Sequence, residues 1–310
     1  HTIINDKGKF ALHIIPSGVF NKNTTCLIGA GTVVNFETLE SELASIAHAD
    51  VDGKNIFVDL RAHLIMPYHC MLDGAEEASK KKEWEVGTTK KGIGPCYSDK
   101  AARVGLRAGD TLDRERFKTR LEMLIDQKNR QLEFYNLPLI DLDEMMSLRD
   151  KWFNLFGDKV VDTLPIIKKA IKSDKSILLE GQLGIMRDLD WGIYPYTTSS
   201  NPSAGGAVSG SGISPNKIDE IVGVLKVYST SVGGGQFRVS TNKTIVANIY
   251  AGETSCLYLT VGGLIINILG NIYGGSAAAA FGVGQGNTIS SNFYITGNIY
   301  GGSAKDAFGL

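Results

Sequence analysis

The sequence is short of cysteine, of net charge and of long apolar runs. Its four cysteines (Cys26, Cys70, Cys96 and Cys256) are widely spaced among 310 residues and contain no C-x-x-C pair. That excludes a disulfide-stapled scaffold and predicts reduced thiols in a cytoplasmic protein. The 32 basic side chains nearly cancel the 33 acidic ones, leaving a formal charge of -1 and no overall field for nucleic acid or an anionic membrane. The longest membrane candidate, from Leu257 to Gly270, is broken by Gly262, Gly263 and Asn267 and falls short of the roughly 20 apolar residues a spanning helix needs. Residues His1 to Phe10 lack the basic-then-apolar order of a signal peptide, and a start without Met reads as a fragment. What is present, 43% hydrophobic and 21% charged residues, is enough for a buried core.

Composition changes near Gly233-Gly234-Gly235. Beyond Gln236 the charged residues are Arg238, Lys243, Glu253, Lys305 and Asp306; the rest lie before it. The first part alternates short β-type runs (Asn55 to Leu60, Ser176 to Leu179, Ile221 to Leu225) with longer helical patterns, which predicts an α/β domain over residues 1–237 with a partly parallel sheet. The clearest helix starts after Asp113 as N-cap and lines up Phe117, Leu121, Leu124, Lys128, Leu132 and Tyr135 on one face. Two more are expected from Leu142 to Phe156 and from Leu164 to Ile171, their Met and aromatic stripe belonging to the core. Residues 238–310 form a Gly/Asn-rich tail in which Asn-Ile-Tyr recurs at 248, 271 and 298. Such spacing reads as rungs of a β-solenoid, similar to autotransporter passenger repeats, or as a low-complexity segment.

Two segments carry candidate chemistry. In Val86 to Arg103, Gly87, Gly92 and Gly94 allow backbone amides close to a ligand, Thr88 and Thr89 add hydroxyls, and Lys90, Lys91, Lys100 and Arg103 add positive charge. The set suits a phosphate monoester, and reads equally as a solvated turn. A second Gly and hydroxyl cluster, Leu179 to Gly184, Asp188 to Asn201 and Ala204 to Gly206, follows a β run, where ligands of α/β sheets bind. His13, His48, His63 and His69 have no metal-ligand spacing and read as packing or surface residues.

Together with Ala11-Leu-His-Ile-Ile-Pro-Ser-Gly18, Tyr194-Pro-Tyr-Thr-Thr-Ser-Ser-Asn201 and Lys226-Val-Tyr-Ser-Thr230, the run Gly92-Ile-Gly-Pro-Cys-Tyr-Ser-Asp-Lys-Ala-Ala-Arg103 resembles adenylosuccinate synthetases, whose Gly-Ile-Gly-Pro-x-Tyr-x-x-Lys-x-x-Arg signature it fits at every fixed position. The resemblance covers about residues 1 to 237. It implies a P-loop-NTPase-like, mostly parallel sheet with helices, truncated here, and a ligase of purine biosynthesis that joins IMP to aspartate using GTP and magnesium. It further implies catalytic roles for His1 and Lys100, IMP contacts from Thr88, Thr89, Gln182 and Thr198, and a homodimer in which Arg103 reaches the IMP phosphate of the neighbouring subunit. A charge-bearing donor that strengthens as the phosphoryl group transfers would lower the barrier.

The departures are as informative. The family's Gly-Asp-Glu-Gly-Lys-Gly-Lys segment, with its base, magnesium ligand and GTP cradle, is absent, as are its arginine-rich aspartate loop and Lys-x-Asp guanine site. No metal ligand is therefore assigned. Gly181-Gln-Leu-Gly184 replaces Gly-Ala-Gln-Gly, so Gln182 takes the purine contact from a shifted position or Leu183 abolishes it. No turnover is expected from this chain alone. Two other readings stay open: a non-catalytic IMP-binding module, and a structural or surface protein whose function resides in the repeats from Asn248.

Overall fold

The computed structural model describes residues 2–49, 51 and 53–224, and the backbone of 242–245, 248–250, 265–268, 272–273, 292–295 and 299–300. It divides into two units, His1–Pro215 and Asn216–Leu310. His1 and most of the expected repeat tail lie outside the described residues.

The first unit opens with an antiparallel hairpin, β1 (Thr2–Asn5) and β2 (Gly8–Ala11). Its central sheet is parallel. β3 (Cys26–Ile28) is followed by β4 (Val33–Val34), α1 (Phe36–Ile46) and β5 (Ile56–Asp59), and β5 pairs in parallel with β3, Leu27 opposite Phe57. β6 (His63–Leu64) pairs with β4, and after α2 (Pro67–Ser79), α3 (Ile93–Ala102), α4 (Arg114–Phe134) and α5 (Leu142–Phe156) the chain returns as β7 (Val160–Val161) on the free side of β5. The order is β3-β5-β7. α6 (Thr163–Lys172) and α7 (Ala204–Ser211) complete the unit. No helix among the described residues is long and apolar enough to cross a membrane.

The three expected helices form. Asp113 caps α4 by accepting the Arg116 N–H at 3.0 Å, and Phe117, Leu121, Leu124, Lys128 and Leu132 are its buried stripe. On α5, Met145, Met146, Trp152 and Phe156 are buried, and Phe36 of α1 meets the Trp152 ring edge-on at 5.6 Å and Phe156 at 5.0 Å. These rings lock α1 onto α5 beside the sheet.

One expected strand does not form. Ser176 to Leu179 has no secondary structure, and Leu178 is 83% exposed. An apolar run becomes a strand only when a neighbour takes its N–H and C=O groups, and none of the described strands pairs with it. In the run from Ile221, the described residues form one short paired strand, β8 (Val222–Gly223).

In the second unit β9 (Asn242–Ile245), β10 (Asn248–Tyr250), β11 (Ile265–Ile268), β12 (Ile272–Tyr273), β13 (Asn292–Ile295) and β14 (Ile299–Tyr300) form two parallel stacks, β9-β11-β13 and β8-β10-β12-β14. Ile249, Ile272 and Ile299 are in register, as are Tyr250, Tyr273 and Tyr300.

Candidate functional site

The glycine-rich segment is a tight loop that ends at the N-terminus of α3. Gly87 and Gly92 have φ of +71° and +73°, left-handed values that favour glycine. At Gly92 a Cβ would sit 2.8 Å from the His69 Cβ and 2.9 Å from the Cys70 backbone nitrogen, so the loop lies hard against the start of α2. The structure corrects one expectation here. The Gly87 and Gly92 amides face inward: Gly87 N–H donates to Glu77 Oε1, joined at 3.4 Å by Thr88 N–H, and Gly92 N–H donates to Asp73 Oδ2 at 2.9 Å. Both carboxylates are buried on α2, and Lys80 pairs with Glu77 at 2.8 Å. What the loop turns outward is the Thr88 to Lys91 stretch, with Thr89, Lys90 and Lys91 exposed and Thr88 half-buried.

Behind Gly92 lies a buried network. His69 Nδ1 accepts the Met66 N–H at 2.9 Å, which leaves the proton on Nε2 to donate to Asp99 Oδ2 at 3.0 Å. Lys128 reaches Asp99 Oδ1 at 2.6 Å. Burial holds His69 below its usual pKa despite Asp99. Burial also opposes ionisation of Asp99, but the hydrogen bonds from His69 and Lys128 outweigh it and hold the carboxyl below the usual carboxylate range. Asp99 belongs to the signature segment, so the network ties α3 to α2 and α4.

Lys100 points elsewhere. Its ammonium lies on the Gly31 and Ala30 carbonyls at 3.1 and 3.4 Å and 5.3 Å from the Tyr97 ring centroid, while the Tyr97 hydroxyl donates to Gly31 at 3.0 Å. Gly31 N–H in turn donates to Gly210 of α7 at 2.9 Å. Burial first, then Arg107, lowers the Lys100 pKa. Arg103 caps the far end of α3 at φ +66° and is exposed. Nine residues at 1.5 Å each put it about 14 Å along the axis from Gly94. Within one chain Arg103 and the Thr88–Thr89 loop are thus at opposite ends of the same helix.

The second cluster does come to the loop. A Cβ on Gly94 would lie 3.7 Å from Ser199 Oγ, and one on Gly181 would lie 3.4 Å from the Pro202 carbonyl. Thr198 is fixed by donating its N–H to Arg187 O at 2.7 Å, and its hydroxyl lies 3.3 Å from Ser200 Oγ. Gln182 is exposed, and beside it Leu183 is 63% exposed with φ +72°. Glu180 accepts the Ser17 N–H and hydroxyl at 3.0 and 2.8 Å, and Glu42 of α1 accepts the Ile14 and Ile15 N–H groups at 3.1 Å, so the Ala11 to Gly18 segment is also held by carboxylates. Asp188 is 1% exposed and binds the Asp190 and Trp191 amides at 3.0 Å.

His63 and His69 are buried, whereas His13 and His48 are exposed, and Cys26, Cys70 and Cys96 are free thiols. Among the described residues no group of three His, Cys, Asp or Glu side chains is placed to hold a metal ion. Asp73, Glu77, Asp99 and Lys128 escaped the sequence reading as site residues. Asp73 and Glu77 carry one retrievable signal, acids four apart on a helix just before a Gly-Thr-Thr loop.

Comparison with known proteins gives the family of the chain. The family described as adenylosuccinate synthetase matches residues 1–255. The adenylosuccinate synthetase of Listeria welshimeri is 45% identical over 250 residues, covering 80% of this chain and 58% of that protein. That of Brevibacillus brevis is 44% identical over 243 residues, covering 78% and 56%. A solved structure, the fully ligated adenylosuccinate synthetase of Plasmodium falciparum, superposes with a TM-score of 0.69 at 36% identity, over 76% of this chain and 55% of that one. The chain thus spans little more than half the length of the relatives it matches. It belongs to the adenylosuccinate synthetase family.

Proposed function

We propose that this chain carries the IMP-holding part of an adenylosuccinate synthetase, the ligase that joins IMP to aspartate at the expense of GTP. The observation that supports this best is the approach of the α3 N-terminus, at Gly94, to Ser199 in the Tyr194 to Asn201 loop. Thr88, Thr89 and Thr198 then flank one end of α3, whose unpaired first-turn N–H groups favour an anion. In this reading Thr88, Thr89 and Thr198 donate hydroxyls to the mononucleotide, and Gln182 faces its purine. Arg103, at the other end of α3, serves the site of a second copy, which makes the working form a homodimer. A guanidinium suits that task because it grips a phosphate with two parallel hydrogen bonds. Lys100 acts through the Ala30–Gly31 carbonyls it holds, and His1 is assigned the phosphate-facing donor role by family resemblance alone. GTP, aspartate and magnesium belong to the reaction of the family, whose elements for them the sequence lacks. The expected compartment is the cytoplasm.

Two measurements on the 310-residue chain test the reading. Calorimetric titration with IMP is expected to give saturable heat that Thr89→Ala weakens by about tenfold, the loss of one hydrogen bond to a charged group. A coupled assay with IMP, GTP and aspartate is expected to show no turnover, because losing several catalytic groups together costs more than the roughly 10²- to 10⁴-fold supplied by one acid-base group. Absence of IMP heat would refute the binding site, and GTP- and aspartate-dependent IMP consumption would refute the inactivity.

A further inference from the structure

The loop from Gly87 to Gly92 is suspended from one face of one helix. Asp73 and Glu77 are four residues apart on α2, so their side chains share a face with a rise of about 6 Å between them. Like charges at that spacing destabilise a helix, and buried carboxylates are costly unless hydrogen-bonded. Both are buried all the same, and both are satisfied by the loop: Glu77 by the Gly87 and Thr88 amides with Lys80 on its other oxygen, Asp73 by the Gly92 amide at 2.9 Å. The two anchors grip opposite ends of the segment and leave Thr88 to Lys91 between them.

Three residues of that segment, Gly87, Lys90 and Gly92, have positive φ. Gly87 and Gly92 adopt it at no steric cost, but a residue with a side chain such as Lys90 stays there only where its surroundings over-determine it. The Gly87, Thr88 and Gly92 amides are committed to the helix, so between its anchors the loop presents side chains whose positions the anchors dictate. We infer that Asp73 and Glu77 are positioning residues: a carboxylate clamp on α2 that holds the Thr88–Thr89 loop in its nucleotide-binding shape. This rests on the IMP reading above for what the loop binds, but the clamp itself rests on the hydrogen bonds. Burial raises the Glu77 pKa, yet the hydrogen bonds from Lys80, Gly87 and Thr88 lower it by more, so the acceptor is ionised at neutral pH.

The test uses the full chain, with amide hydrogen exchange and IMP calorimetry as separate readouts. In the unmutated protein the Gly87 and Gly92 amides should exchange slowly, although they lie outside any helix or strand; fast exchange of both overturns the clamp, whatever IMP does. Glu77→Ala should accelerate exchange at Gly87 and Thr88 and weaken IMP binding by about tenfold or more. Glu77→Gln keeps an acceptor oxygen and should recover part of both, and Asp73→Asn should do the same for Gly92. A folded Glu77→Ala protein with unchanged exchange and unchanged IMP affinity overturns the proposal. If Glu77→Ala does not fold, the exchange of the unmutated chain and the Gln variant decide. If the unmutated chain binds no IMP, the nucleotide reading fails and the clamp is judged on exchange alone.

Discussion

His63 sits on β6 at 5% exposure, and its Nδ1 has no hydrogen-bond partner among the described residues. Burial, reinforced by Lys100, Arg107 and Arg120, pushes its pKa down to about 4. An unfolded histidine titrates near 6.5, so between about 4 and 6.5 the unfolded chain binds a proton that the folded one refuses. Stability therefore rises with pH across this window and is lost as pH falls from 6.5 through 4, by at most about 3 kcal/mol from this residue. His69, also lowered by burial, adds a term of the same sign. Urea unfolding at pH 7, 5.5 and 4.5 should show a falling midpoint, and His63→Gln should flatten that fall; identical slopes in both proteins would contradict the assignment. At this scale the sequence was only half legible. Spacing gave His13, His48, His63 and His69 alike as packing or surface residues, and only the fold shows that His63 and His69 are the buried two. That Asp73 and Glu77 accept backbone amides could not be read from the sequence, since an acid on a helix looks the same whether it faces water or a loop brought in from elsewhere in the fold.

Among the elements, α4 was the most legible because a 21-residue helix repeats its signal: an Asp cap, then apolar residues at three- and four-residue steps. Lys128 in that stripe is the exception that carries information. Its side chain is 4% exposed, and its ammonium pairs with Asp99 at 2.6 Å and lies 5.6 Å from the Tyr68 ring centroid. Replacing it by methionine keeps the volume but leaves Asp99 buried with His69 alone, and breaking a buried pair on one side costs about 3–5 kcal/mol. Lys128→Met should therefore lower unfolding free energy by about 3 kcal/mol, measured in denaturant, and Lys128→Met with Asp99→Asn should regain much of it. A single-variant loss below about 1 kcal/mol would show that the pair carries little. The run Ser176 to Leu179 failed for the opposite reason. Its residues have the right preference, but a strand is a relation between two segments, and preference in one cannot supply the other.

For the whole molecule, the question is how much of the chain the fold of the nucleotide-facing unit requires. Every buried hydrophobic residue among those described lies between Phe10 and Ile213, and so do all the candidate site residues except His1. The described residues just past this unit are open to solvent: Ile221 and Val222 are each 51% exposed and Val224 is 91% exposed. Stability scales with the apolar area removed from water, so a chain ending at Pro215 keeps the described core that stabilises the first unit. Such a chain should unfold within about 4 °C of the 310-residue protein, the change that 1 kcal/mol produces in a domain of this size, and should bind IMP with the same affinity. Differential scanning calorimetry and IMP titration of the two chains side by side decide the matter. A larger drop in the midpoint would mean that residues beyond 215 complete the core of the first unit. An unchanged midpoint with lost affinity would mean that they complete its site.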